Sequence, residues 1–183
     1  CGGNEGKTDM KYASNNIRNI LIAGHAGSGK TTVTCAVLTA LQRRGADPCA
    51  FKCGPDYIDP MFHRSALGVE SHNLDLYLSA PDTVRRLYAR YAAGHGAAVC
   101  EGAMGFYDGL SGTSTTASAW QVADTLNLPV LLVVRPKGAS LTLAAQIKGL
   151  QSFRTPSHLA GILLNDCKPG LYKMLAPMLE AET

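Results

Sequence analysis

The chain has 183 residues, of which 46% are hydrophobic and 17% are charged, and its formal net charge is +3. This length fits one domain, and the composition is that of a folded protein, which excludes disordered and collagen-like chains. The longest uninterrupted apolar run, Val130–Val134, is far shorter than the roughly 20 residues of a membrane span. A charge this small does not favour nucleic acid as a partner. We expect neither a membrane nor a nucleic-acid partner.

The cysteines and the first residues of the sequence indicate in which cellular compartment the protein is expected. The six cysteines form no C-x-x-C pair and no zinc-finger spacing. Because the sequence also opens without an apolar secretory leader, it predicts reduced thiols in a cytoplasmic protein. Residues 1–16 are polar and rich in glycine, so we expect a disordered leader or an expression remnant there, followed by one domain over 17–183.

Apolar runs alternate with amphipathic helical segments in the first half of the chain. Residues 17–23 predict a first strand, and 30–44 predict a helix because apolar residues recur there every three to four positions. Residues 48–53 predict a second strand, after which a loop rich in Gly, Pro and Asp is expected. The next predicted elements are a helix over 81–93, opened by a proline, and a strand over 97–100.

The second half of the chain continues the same alternation. Its predicted elements are helices over 116–126, 138–153 and 171–180 and strands over 129–134 and 159–164. Pro177 is expected to interrupt the last helix. Strands that are apolar throughout indicate a parallel sheet covered on both faces. The order of elements therefore predicts a doubly wound, mostly parallel α/β fold, in which ligands bind at the carboxyl ends of the strands.

A glycine-rich segment, residues 24–31 (GHAGSGKT), follows the first predicted strand and opens the first predicted helix. It matches G-x-x-x-x-G-K-[ST] in the structural context that this phosphate-binding motif needs. Its glycines let backbone N–H groups approach phosphate oxygens, and the helix N-terminus adds positive potential. Lys30 would reach the outer phosphates, and Thr31 would ligate Mg²⁺. The residues expected to bind a nucleotide here are Gly27, Ser28, Gly29, Lys30, Thr31 and Thr32.

Carboxylates follow two of the predicted strands. Asp56 and Asp59 lie in a proline-bracketed loop after the second strand, where spacing alone slightly favours a surface turn. Beside a phosphate loop they become candidates for handling Mg²⁺ or substrate. Glu101 directly follows the third strand, the usual place for a carboxylate that binds Mg²⁺ directly or through water. Asp108, in the glycine-rich segment after it, is a further candidate.

Three other features are less specific. Asn73-Leu74-Asp75 is interpreted as the cap of a following helix. Asn165 follows the last strand. Its amide could contact a nucleotide base, or it could be an ordinary loop residue, and the sequence supports both roles equally. The scattered histidines have no zinc-ligand spacing. The candidates for binding an anionic substrate, set against ordinary surface charge, are His63, His72, Arg64, Arg85 and Arg86.

Several long motifs occur in order along the chain. They are GHAGSGKT (24–31), FKCGPDYIDPMFH (51–63), SHNLD (71–75), CEGAMGFYDG (100–109) and GILLN (161–165). Together they resemble the amino-terminal synthetase domain of the cobyrinic acid a,c-diamide synthases, which act in cobalamin biosynthesis. The resemblance covers nearly all of 17–181, and that domain is in turn similar to dethiobiotin synthetase, in the class of phosphate-loop NTPases.

The resemblance implies an ATP-dependent ligase. Such an enzyme activates the a and c acetate carboxylates of cobyrinate as acyl phosphates, from which ammonia displaces phosphate. By this likeness Lys30 serves the phosphates, and Asn165 lies near adenine. The implied catalytic residues are Lys30, Asp56, Asp59, Glu101 and Asp108. The implied Mg²⁺ ligands are Thr31, Asp56 and Glu101.

Members of that family also carry a carboxyl-terminal glutaminase domain with a nucleophilic cysteine. These 183 residues lack its motifs, and Cys167 does not lie in a glutaminase elbow. We therefore expect a fragment, or a subunit that takes ammonia from elsewhere, without glutaminase activity of its own. Members are often dimeric, so a homodimer is one expected state.

Three alternatives remain open at this point. A partitioning ATPase, which dimerises on ATP, would share the fold, but those proteins need a lysine where His25 stands. A dethiobiotin-synthetase-like ligase, or a diamide synthase for another tetrapyrrole, would share the motifs. A bare nucleotide-binding module without activity of its own is the third.

Overall fold

The computed structural model describes residues 18–183, so Ile17 and the segment 1–16, with the leader expected there, lie outside the described residues. The strands are β1 (Asn19–Ala23), β2 (Pro48–Cys53), β3 (Ser71–Leu74), β4 (Ala97–Glu101), β5 (Val130–Val134) and β6 (Leu159–Leu164). The helices are α1 (Lys30–Arg43), α2 (Ile58–Leu67), α3 (Pro81–Ala92), α4 (Ala119–Leu126), α5 (Leu141–Phe153) and α6 (Pro169–Glu182). Within residues 18–183, no helix has the length and apolar character that crossing a membrane requires.

The six strands form one parallel sheet in the order β3-β2-β4-β1-β5-β6. Side chains alternate between its two faces, because successive residues of a strand point in opposite directions. Leu21 and Phe51 join the core beneath α3, α4, α5 and α6, whereas Ile22 and Ala50 join a smaller core beneath α1 and α2. Helices therefore cover both faces, which confirms the predicted doubly wound α/β fold.

The region expected to be a loop after β2 contains two further elements, α2 and β3. Asp56 Oδ1 accepts a hydrogen bond from the backbone N–H of Ile58 at 2.9 Å, and this contact sets the start of α2. Pro60 lies in the first turn, where its missing N–H breaks no helical hydrogen bond. The loop prediction for Asp59 and Pro60 was therefore wrong. So was the helix cap at residues 73–75, since Asn73 lies within β3 and pairs in register with Lys52.

Three helix boundaries also differ from the prediction. α4 begins at Ala119 because Ser118 Oγ accepts a hydrogen bond from the backbone N–H of Gln121. α5 begins only at Leu141, after Gly138 with its left-handed φ of 70°. Pro177 does not interrupt α6, which continues to Glu182 with Leu175 and Leu179 buried against the sheet. Packing on both sides of the proline offsets the hydrogen bond that it removes.

Candidate nucleotide and carboxylate site

The phosphate loop lies between β1 and α1, at the carboxyl edge of the sheet. Gly27 and Gly29 adopt left-handed φ values of 77° and 85°, which glycine reaches without strain. A Cβ on Gly24 would overlap Ser28 Oγ and lie 2.6 Å from the backbone oxygen of Val133, whereas one on Gly27 would have nothing within 4 Å. The loop is thus packed closely at Gly24 and open at Gly27. No side chain of residues 18–183 caps α1, so its first N–H groups can serve a phosphate.

Residues that follow β5 and β6 support this loop from a second direction. Asn165 Nδ2 donates to the backbone oxygen of Ser28 at 2.8 Å. Arg135 Nη1 donates to the backbone oxygen of Gly27 at 3.2 Å, and its Nη2 pairs with Asp166 at 2.6 Å. The structure therefore places Asn165 against the phosphate loop, and its expected role near adenine stays a prediction.

Lys52 and Glu101 form the centre of a buried polar cluster beside the loop. They are register partners on β2 and β4, so both side chains point to the face of the sheet that α1 and α2 cover. Lys52 Nζ donates to Glu101 Oε1 at 2.9 Å and to Asp59 Oδ2 at 2.5 Å. Thr31 Oγ1 donates to the same Glu101 oxygen at 2.5 Å. Two strand ends and two helices thus converge on the Lys52–Glu101 pair.

Lys52 was not among the residues that sequence reasoning selected. It is 4% exposed, in a strand whose other residues are all buried. The signal was present, because a lysine inside an otherwise apolar strand needs a carboxylate partner when the strand is buried. What the sequence did not show was which carboxylates these are, since its partners Asp59 and Glu101 lie 7 and 49 positions along the chain.

The two lysines of the site have pKa values shifted in opposite directions. Burial is the largest influence on Lys52 and acts to lower its pKa, but Glu101 and Asp59 together outweigh it and raise that pKa. For Lys30, burial and then the charge of Lys52 lower the pKa, and the carboxylates only partly oppose them. Lys52 is therefore held in its charged form by its carboxylate partners. The charged form of Lys30 would be stabilised further by a bound anion such as a phosphate.

The arrangement of Thr31 and Glu101 fits a magnesium site. Glu101 Oε2 is buried and has no hydrogen-bond partner among the described residues, although the other oxygen of the carboxylate has two. A buried carboxylate oxygen needs a cation or a water, and a hydroxyl next to a carboxylate is a usual Mg²⁺ environment in phosphate-loop proteins. Within residues 18–183, no group of three His, Cys, Asp or Glu side chains is arranged to bind a metal.

The remaining predicted site residues differ in how close they lie to the cluster around Lys52 and Glu101. Asp56 lies at the edge of the cluster, with Oδ2 3.8 Å from Lys52 Nζ. Asp108 is exposed and accepts a hydrogen bond from the backbone N–H of Gly105 at 3.1 Å, a contact that closes a local turn. Ser28 has a fully buried side chain, so only its backbone is available to a nucleotide. Thr32 is exposed on the first turn of α1.

The histidines and arginines considered for an anionic substrate have structural contacts. His63 is fully buried with Nδ1 3.1 Å from Ser71 Oγ, so it does not reach a substrate. His72 pairs with Glu70 at 2.7 Å and stacks on Tyr91. The three arginines also have partners within the domain: Arg64 contacts the Ser71 oxygen, Arg85 contacts Asp82 and the backbone oxygen of Thr125 on α4, and Arg86 contacts Thr83. A role in substrate binding stays a prediction for these arginines.

A family model described as the CobQ/CobB/MinD/ParA nucleotide binding domain matches residues 20–183. The chain belongs to this family. It is therefore a nucleotide-binding domain, as the motif at residues 24–31 predicted, and its curated relatives bear out the resemblance drawn from the sequence.

Two relatives of the CobQ/CobB/MinD/ParA domain illustrate that similarity. The cobyrinate a,c-diamide synthase of Clostridium acetobutylicum is 42% identical over 165 residues, which are 90% of this chain and 37% of that protein. The hydrogenobyrinate a,c-diamide synthase of Streptomyces coelicolor is 43% identical over 148 residues, which are 81% of this chain and 30% of that protein. The chain thus spans about a third of the length of the curated relatives it matches.

Solved structures share the fold at low sequence identity. FlhF complexed with GMPPNP/Mg(2+) superposes with a TM-score of 0.58 and 11% identity, over 90% of this chain and 61% of that one. The signal recognition particle receptor FtsY from Elizabethkingia anophelis gives a TM-score of 0.55 and 12% identity, over 85% and 52% of the two chains. At these identities the likeness establishes the architecture alone.

Proposed function

We propose that this domain carries out the ATP-dependent step in the amidation of the a and c carboxylates of cobyrinate, in cobalamin biosynthesis. The observation that carries the proposal is the polar cluster at the phosphate loop, in which the buried Lys52 and Glu101 contact the partly exposed Thr31 and Asp59. The named activities of the relatives at 42–43% identity support the choice of substrate. The ammonia would come from a glutaminase domain outside these residues.

In the proposed reaction a substrate carboxylate attacks the γ-phosphorus of ATP. An oxygen–phosphorus bond forms, the bond to ADP breaks, and ammonia then displaces phosphate from the acyl phosphate to leave an amide. The first step brings two anions together, so its barrier falls when fixed positive charge faces them. Lys30 and Lys52 supply that charge, and the N-terminus of α1 adds its dipole.

Each residue of the cluster has a proposed task. Lys30 contacts the outer phosphates, and Lys52 faces the reacting oxygens while Asp59 and Glu101 hold its ammonium in place. Thr31 and Glu101 would bind Mg²⁺, which neutralises phosphate charge when it is present. Asp56, through its contact with the Ile58 N–H, keeps α2 and hence Asp59 in position.

Two alternatives to this function are an amidation of a different corrinoid and the activity of a partitioning ATPase. Hydrogenobyrinate is an alternative substrate of the same class, because relatives named for it are as similar as those named for cobyrinate. A partitioning ATPase would share the family domain, but His25 occupies the position of the lysine that those proteins need. Action in the cytoplasm and homodimerisation remain part of the proposal.

The test supplies the chain with ATP, Mg²⁺, ammonium chloride and either cobyrinate or hydrogenobyrinate. We expect ADP release that depends on the corrinoid, and amide products that mass spectrometry detects. Release of ADP at the same rate without either corrinoid, with no amide product, would overturn the proposal. Glutamine in place of ammonium should give no product, and ATP-induced dimers that bind DNA would favour the partitioning ATPase.

A further inference from the structure

An exposed apolar surface lies beside the reaction centre. It consists of six apolar residues, each between 48% and 74% exposed to solvent. We call this surface the apolar shelf, and its members are Tyr57, Ile58, Met61, Phe62, Tyr77 and Leu78. Clustered exposed apolar groups mark binding surfaces far more often than single ones do, and aromatic rings offer large flat contacts.

The two halves of the shelf lie at the same edge of the sheet. Tyr57 and Ile58 follow β2, and Tyr77 follows β3, which pairs with β2 in parallel through Cys53 and Leu74. Asn73 Nδ2, on β3, donates to the backbone oxygens of Gly54 and Asp56, so the segments after the two strands are joined. This is the carboxyl edge, where ligands bind in folds of this type.

Helix α2 connects the shelf to the cluster. Ile58, Met61 and Phe62 are spaced i, i+3 and i+4, so they share its outward face. Asp59, one position from Ile58, points instead to Lys52, and His63, one turn after Asp59, is fully buried against Ser71. The helix therefore presents an apolar face to solvent while its other side forms part of the reaction centre.

We propose that the apolar shelf binds the ring face of the corrinoid substrate, so that a peripheral carboxylate arm reaches Lys52 and the phosphate loop. This inference rests on the proposed function and adds the surface that recognises the substrate. A corrinoid combines a broad apolar ring with carboxylate arms at its rim. The shelf matches the ring in chemistry, and Lys52, which donates to Asp59 on the inner side of α2, offers an ammonium group to an arm. A second copy of the chain is the competing occupant.

A pair of double variants tests the shelf. Met61→Gln with Tyr77→Ser alters it, and Tyr172→Ser with Met174→Gln is the matched control on α6, at the opposite edge of the sheet. The methionines are 53% and 55% exposed and the tyrosines 66% and 54% exposed, so the two double variants remove similar side chains. Cobyrinate binding is measured by ultrafiltration with visible absorption, and ATP binding by calorimetry.

We expect the shelf variant to bind cobyrinate about tenfold or more weakly, a free-energy change of about 1.4 kcal/mol, with ATP binding unchanged. The control variant should bind both cobyrinate and ATP as tightly as the unsubstituted chain does. If the unsubstituted chain binds ATP and no cobyrinate, the proposed function fails, and the shelf assignment with it. If it binds cobyrinate and the shelf variant binds equally well, only the shelf assignment fails. A shelf variant that changes from dimer to monomer in sedimentation, with cobyrinate affinity intact, would identify the shelf as a subunit interface instead.

Discussion

Lys52 Nζ lies 2.9 Å from Glu101 Oε1, and the two residues are 4% and 0% exposed. Because they are register partners on neighbouring parallel strands, the backbone of the sheet fixes their separation. A buried ion pair of this kind contributes little net stability when complete, yet breaking it leaves an unpaired charge in a poorly solvated place. The pair therefore ties the stability of the domain to the same atoms that the proposed reaction uses.

Lys52→Met should destabilise the protein and abolish turnover. Loss of the ammonium leaves Glu101 and Asp59 without their shared partner, which costs about 3–5 kcal/mol in comparable buried pairs. Urea unfolding followed by circular dichroism measures the change. Lys148→Met, at an exposed position of α5, is the control and should stay within about 0.5 kcal/mol of the unsubstituted chain. Equal stability of the two variants would show that Lys52 is not needed to neutralise the cluster.

Glu101→Gln should remove the effect of Mg²⁺ on nucleotide binding. Oε2 of Glu101 is the buried, unpartnered oxygen at the candidate metal site, and an amide is a weaker ligand for Mg²⁺ than a carboxylate. We expect ATP affinity without Mg²⁺ to change little, while the gain on adding Mg²⁺ disappears and turnover falls by about 10²-fold or more. Calorimetry with and without Mg²⁺ separates the two effects, and the exposed Glu180→Gln is the control. An undiminished gain from Mg²⁺ would exclude Glu101 as a ligand.

Gly29→Ala should abolish nucleotide binding. The left-handed φ of 85° strains any side chain, and the added Cβ would overlap the Asn165 amide, so the phosphate loop must distort. Gly149→Ala is the control, because a Cβ at that position of α5 meets nothing within 4 Å. That change should stabilise the protein by about 0.5–1 kcal/mol and leave nucleotide affinity unchanged. Calorimetric titration with ATP and thermal unfolding measure both variants, and a Gly29→Ala chain with full affinity would contradict the close packing of the loop.

His63→Gln should make stability less sensitive to acid. Burial lowers the pKa of His63 below its ordinary value of 6.5, and Glu101 and Asp59 only partly oppose that. Below pH 6.5 the unfolded chain then binds a proton that the folded chain does not, so stability falls as pH falls towards the lowered pKa. Urea unfolding between pH 7.5 and 5.5 (roughly one unit either side of the ordinary histidine pKa) should show this slope in the unsubstituted chain and a smaller one in the variant. His72→Gln, at a partly exposed position, should keep the slope, and equal slopes in both variants would exclude His63 as its source.

Much of the fold could be predicted from local patterns. β2 and β6 begin and end where the sequence placed them, because runs made up mainly of apolar residues mark the strands of a parallel sheet. β3 has only four residues, three of them polar, and such a short edge strand gives no periodic signal. α2 was hidden by Pro60, which reads as a loop former until its place in the first helical turn is known.

The candidate site was only partly predictable for a similar reason. The phosphate loop is a local motif, so its residues could be read directly from the sequence. The contacts of Lys52 depend on strand order and on the pairing of β2 with β4, which lie 49 residues apart at Lys52 and Glu101. Asn165 could be placed at a strand end, but its bond to Ser28 depends on how far the loop after β6 reaches across the sheet.

The bond between Asn165 and Ser28 joins positions 137 residues apart, so the phosphate loop is not a self-contained module. Transplanting residues 24–31 into another α/β scaffold would leave behind a contact that holds the loop in shape. A mutant library limited to those eight positions would likewise yield only loop variants that fit against an unchanged Asn165. Protein engineers who wish to change which nucleotide this domain uses should therefore vary positions 29 and 165 together.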